Sequence, residues 1–246
     1  MSGISAVVAP YARATVNKEI PEDRHYLFYS AYLLCLTGLL GIVITGDAFN
    51  VFVFLEIASL ASYTLISLGT DRRALTAGFT YLIMGSIGGT FILIGIGMVY
   101  MMTGTLNMAD MAQRLERGIE LDGQIVAAHR TRTVLVAFAF LSVGISIKMA
   151  LFPLHLWLPN AYAYAPSVVT GFLAATATKV AVYVLLRFVF SVFGVEFALG
   201  AMPLALGLAI LGSVAVLSAS TIAIFQQNLK RMLAYSSVAQ IGYLAL

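Results

Sequence analysis

Long apolar runs follow one another along this chain with hardly a charge inside them, and no other feature limits its fold so strongly. A bilayer span needs about 20 mostly apolar residues. Seven runs meet or approach that length: 26–45, 48–68, 75–102, 133–158, 166–190, 199–225, and a last one from near Arg231 to Leu246. The fourth contains Pro153, which removes a helical hydrogen bond and should break the helix there. With 61% hydrophobic and 10% charged residues, a chain of 246 residues could not clothe a soluble surface. The expected fold class is an all-α membrane protein of about seven transmembrane helices, one broken near Pro153, multi-pass in the plasma (inner) membrane. Residues 1–25 read as a polar N-terminal tail and 26–246 as the transmembrane domain, incomplete at its C-terminus.

The connections are short except for 103–132, which is polar and should carry a surface helix near Met108 to Arg117. The net charge of +3 is read as loop charge that orients the spans, with no nucleic-acid partner. Seven spans put the tail, Arg72 with Arg73, and Lys230 with Arg231 on one side, cytoplasmic by the positive-inside tendency. The long loop with Arg114, Arg117, Arg130 and Arg132 pulls the other way. Cys35 is alone in an apolar run, which leaves no disulfide framework and no thiolate metal site. The first residues lack the basic start and cleavage site of a signal peptide. No P-loop or dinucleotide fingerprint occurs, no cluster has metal-ligand spacing, and no serine is placed as a nucleophile. Neither a cofactor nor catalytic chemistry is expected.

Ionisable groups inside a span cost about 2.5–3.5 kcal/mol each on insertion scales, and they mark function by default. Glu56 lies near the middle of the second run, with Ser59 and Tyr63 on its face at i+3 and i+7. Burial raises a carboxyl pKa and a nearby cation lowers it, so such a group can be poised to trade a proton. The plainer alternative is a structural carboxylate paired with a lysine. Lys148 stands in the fourth run with apolar chain on both sides. Paired with Glu56, it would make a proton's position depend on its neighbour; alone, it could snorkel to the interface. Lys179 is near the centre of the fifth run, in a polar stripe with Thr176, Tyr183 and Arg187. It is either a relay amine or a lysine bonded to backbone carbonyls, whereas Arg187 is near enough to the end to snorkel. His155 follows Pro153 by two residues, where a broken helix would line a cavity and an imidazole could carry protons; a hydrogen-bonded structural histidine fits equally. Asp47 is placed to cap the second span, and the Gly85/Gly89 spacing suggests close helix packing.

Several stretches in order resemble the proton-conducting antiporter-like membrane subunits shared by Mrp-type cation/proton antiporters, respiratory complex I and membrane-bound hydrogenases. They are TGDAFNVFVFLE over 45–56, KMALFPLHLWLP over 148–159, APS over 165–167 with TKVAVY over 178–183, and NLKRMLAYSS over 228–237. The resemblance runs from about Tyr26 onward. It implies that Glu56 and Lys148 are a coupled acid–lysine pair and that Lys179 is the next relay lysine; His155 is added to the relay from its place beside Pro153. Asp47, Pro153 and Lys230 are then structural or capping residues, and the spans are part of an inverted repeat with broken helices. The chain is shorter than such a subunit and corresponds to its first repeat and the opening of the second.

The texture of 70–75 and 102–106 resembles the Mrp D-type subunit. The expected function is therefore proton translocation in a multisubunit sodium/proton antiporter, with other membrane subunits, the lipid bilayer, protons and sodium as partners. The alternative is a proton-pumping membrane subunit of an NADH:quinone oxidoreductase or membrane-bound hydrogenase. A purely structural membrane subunit is the third reading.

Overall fold

The fold is that of a computed structural model, which describes residues 2–121, 124–128 and 131–246. Its helices are α1 (Ser2–Glu19), α2 (His25–Ile44), α3 (Ala48–Ser67), α4 (Arg73–Thr103), α5 (Met108–Arg117), α6 (Arg132–Met149), α7 (Leu158–Tyr164), α8 (Ser167–Leu186), α9 (Leu204–Ile224) and α10 (Leu229–Ala245). Six helical stretches, starting with α2, α3, α4, α6, α8 and α9, are long and apolar enough to cross a membrane. α10, of 17 residues, supplies the seventh expected run. The all-helical, multi-pass expectation is borne out.

Three boundaries depart from the sequence reading. The stretch read as a polar tail is helical over Ser2–Glu19 and packs on α8. The Glu19 carboxylate holds it there, accepting from the Ser167 N–H at 2.6 Å and the Ser167 hydroxyl at 2.7 Å. That N–H belongs to the first turn of α8, where helix donors lack intrahelical partners and a carboxylate is favoured. The long connection carries α5 as expected, together with a short antiparallel hairpin, Ile119–Leu121 with Gln124–Val126. Arg130, one of the bases used in the orientation argument, lies outside the described residues. The fifth and sixth runs meet through π-helical turns at Arg187–Phe193 and Glu196–Ala201, so that α9 starts at Leu204 rather than near 199.

The break in the fourth run comes four residues before Pro153. α6 stops at Met149 because Ala150 adopts a left-handed conformation, φ 59°. Such a residue closes a helix by turning its own N–H back on the last carbonyls, and Ala150 and Leu151 donate to Ile147 and Ser146. The Ile147 carbonyl also accepts from the indole N–H of Trp157 at 3.1 Å. Backbone freed at membrane depth has no water to satisfy it and must find partners in the protein. The Trp157 ring is fixed in turn by stacking on Tyr81 of α4, centroids 4.3 Å apart.

The α4–α6 seam is backbone to backbone. A Cβ built on Gly144 would stand 2.7 Å from the Gly88 carbonyl oxygen and 2.9 Å from the Ile92 nitrogen. Small residues of this kind let membrane helices approach closely, since lipid tails supply no hydrophobic drive for association.

Candidate functional site

α3 and α6 bring two charges together inside the bundle. Asp47 sets the start of α3, its side chain accepting from the Asn50 N–H at 2.8 Å, the capping role read from sequence. Helical spacing then puts Glu56, Ser59 and Tyr63 on one face. Lys148 is in the last turn of α6, beside the negative end of the helix dipole, which favours a cation. Its ammonium donates to Glu56 Oε1 at 2.8 Å and to Ser59 Oγ at 2.8 Å. The lysine side chain is 5% exposed and the glutamate side chain 25%. Among the described residues the second carboxylate oxygen has no hydrogen-bond partner, and the carboxylate is partly exposed where the amine is buried.

Glycine facing this pair has a different use from the one expected. A Cβ on Gly89 would collide with Glu56 Oε1, and one on Gly85 with the Tyr63 hydroxyl. Both meet side-chain tips, while the close helix approach uses Gly88 and Gly144. The Tyr63 hydroxyl is buried without a hydrogen-bond partner among the described residues.

The other candidate residues stand apart from the pair. Lys179 is exposed and donates to the Ala174 carbonyl at 2.7 Å, the backbone-bonded arrangement offered as its plainer reading. The stripe around it divides. Thr176 is buried against Phe172 O, and Tyr183 donates to Val43 O at 3.3 Å. Arg187 donates to Thr45 O at 2.7 Å and Ile42 O at 3.4 Å, closing the C-terminal end of α2 instead of snorkelling. Those carbonyls lack intrahelical donors and attract a guanidinium. His155 is buried in the break, stacked on Phe152 at 5.3 Å and edge-on to Tyr235 at 6.3 Å. Its Nδ1 has no partner among the described residues. Lys230 donates to the Ala165 carbonyl at 3.0 Å and Arg231 to Asn160 Oδ1 at 2.8 Å, pinning α10 to the end of α7.

The family model described as NADH:quinone oxidoreductase/Mrp antiporter, TM, matches residues 45–246. The chain belongs to this family. Among relatives of the NADH:quinone oxidoreductase/Mrp family, NADH-quinone oxidoreductase subunit N of Desulforudis audaxviator is 44% identical over 244 residues, 99% of this chain and 46% of that protein. The D-type subunit of the Na(+)/H(+) antiporter of Alkalihalophilus pseudofirmus is 32% identical over 229 residues, 92% of this chain and 43% of that one. A chain of the membrane-bound sulfane sulfur reductase, an archaeal respiratory membrane complex, superposes with a TM-score of 0.85 at 33% identity, covering 99% of this chain and 46% of that chain. This chain thus spans about half the length of the curated relatives it matches. The oxidoreductase relative is nearer than the antiporter relative by identity, which runs against the D-type texture seen in 70–75 and 102–106.

Within this family member, sequence reasoning named Glu56 and Lys148 and missed two contributors. Ser59 was placed on the right face but given no role; its i+3 spacing from Glu56 was the available signal. Gly89 carried no such signal, because what it accommodates is on another helix.

Proposed function

We propose that this segment carries protons across the membrane as part of a redox-driven respiratory complex of the NADH–quinone oxidoreductase type, the Glu56–Lys148 pair being its coupled element. The observation that carries this reading is the pair itself: an ammonium and a carboxylate 2.8 Å apart, the ammonium buried. In a low-dielectric interior the charge of each acts strongly on the other. Protonation or outward rotation of Glu56 would leave the Lys148 ammonium with only the Ser59 hydroxyl, and its proton would be released. Lys179 and His155 are the next carriers proposed, reached by side-chain movement or water, since neither touches the pair. Asp47 caps α3, Pro153 lies in the break between α6 and α7, and Lys230 ties α10 to the end of α7.

The higher identity to the oxidoreductase relative supports electron transfer as the driver in place of the expected sodium gradient. The partners are other membrane subunits and the lipid of a bacterial inner membrane, with protons as cargo. The test reconstitutes the complex containing the full-length protein into vesicles and follows internal pH with a dye. NADH and a quinone should drive proton uptake without sodium, and Glu56→Gln should abolish it. Proton flux driven by a sodium gradient without an electron donor would instead make this part of an antiporter. Undiminished flux in Glu56→Gln would remove the pair from the path.

A further inference from the structure

The oxygen of Glu56 that accepts from Lys148 is the same one that lies against Gly89. All three atoms nearest to a Cβ at Gly89 belong to the Glu56 carboxyl group, so no backbone contact asks for a glycine there. One turn earlier the atoms nearest to a Cβ at Gly85 all belong to the Tyr63 side chain. α4 therefore presents two gaps, a turn apart, to two polar tips that α3 presents a heptad apart. Glycine in a helix interior is a poorer helix former than alanine, and here the space it leaves is filled by the reactive end of a side chain.

We infer that Gly89 is a positioning residue for proton transfer: its missing side chain sets where the Glu56 carboxylate rests, and so fixes the contact with Lys148. This rests on the proton-relay reading of the pair. An alanine at 89 pushes Oε1 aside. Because the displaced group is the far end of a flexible side chain, the helix packing gives way little and the cost falls on the alignment of donor and acceptor. A misplacement of about 1 Å at a reacting centre can cost on the order of 100-fold in rate.

The experiment uses the complex with full-length protein carrying Gly89→Ala, Gly97→Ala, Glu56→Gln, Glu56→Ala and the double variant Glu56→Ala/Gly89→Ala. Gly97 is on the same helix with open space where its Cβ would go. Two readouts are taken: proton uptake in vesicles, and the infrared carboxylate band of Glu56, assigned by subtracting the Glu56→Gln spectrum. Gly89→Ala should shift that band and lower uptake by roughly 10- to 100-fold, while Gly97→Ala changes neither. If Gly89→Ala impairs assembly, the defect should vanish in the Glu56→Ala background, where the colliding carboxylate is gone. A wild-type band and wild-type uptake in Gly89→Ala would overturn the inference, as would an assembly defect that persists without Glu56. Should Glu56→Gln itself transport normally, the relay reading falls, whereas a shifted band would still place Gly89 against the carboxylate.

Discussion

Replacing Lys148 by alanine should lower proton translocation by roughly 10²–10⁴-fold, the loss that follows removal of a positioned proton donor and acceptor. It should also cost stability, because the carboxylate of Glu56 and the hydroxyl of Ser59 both lose their cation. Breaking a buried ion pair from one side costs about 3–5 kcal/mol. Here the effect should fall at or below the lower end, since the glutamate side chain is a quarter exposed. The two effects separate in Lys148→Ala/Glu56→Gln, which removes the stranded charge. Assembly of the double variant, measured as yield of intact complex after detergent extraction, should recover toward wild type while proton uptake stays at the level of the single variant. Recovery of uptake along with assembly would mean that the lysine serves only to neutralise the glutamate.

Gly144→Val should be the most damaging substitution in the bundle away from any charge. A Cβ there would press on the Gly88 oxygen and the Ile92 nitrogen, backbone atoms that cannot rotate away, and on the Ile92 side chain at Cγ1. Overpacking in a well-packed interior costs about 1–3 kcal/mol, and a branched side chain wedged between two backbones belongs at the upper end. Lys148 is one turn further along α6, so separation of the α4–α6 seam also carries the ammonium off Glu56. The expected result is a lowered thermal unfolding midpoint of the purified complex and a matching loss of uptake. Gly97→Val, facing open space on α4, should leave both near wild type.

The apolar runs were legible because the bilayer imposes one length and one composition on every span. The ends of those runs were less so. Pro153 announced a break, yet the helix stops at Ala150, whose left-handed turn has no signature in an alanine. Ser2–Glu19 lacked the hydropathy of a span and read as tail, although Glu19 ties it to the first turn of α8. The acid–lysine pair was legible for a physical reason: charge in hydrocarbon needs a partner, and α3 and α6 each offered one. The polar stripe on α8 misled, because periodicity groups residues by face and does not say what each face meets. Lys179 turns to its own backbone, while Tyr183 and Arg187 close the end of α2. Gly89 was illegible for the same reason, its neighbour being a side chain from another helix.

One substitution separates a proton carrier from a fixed counter-ion. Lys148→Arg keeps a cation able to bond Glu56 and Ser59, but a guanidinium does not give up its proton in a protein. Quinone-driven proton uptake by the reconstituted complex carrying Lys148→Arg should fall to that of Lys148→Ala, although the complex assembles. Uptake at the wild-type rate would contradict the claim that the proton passes through this amine.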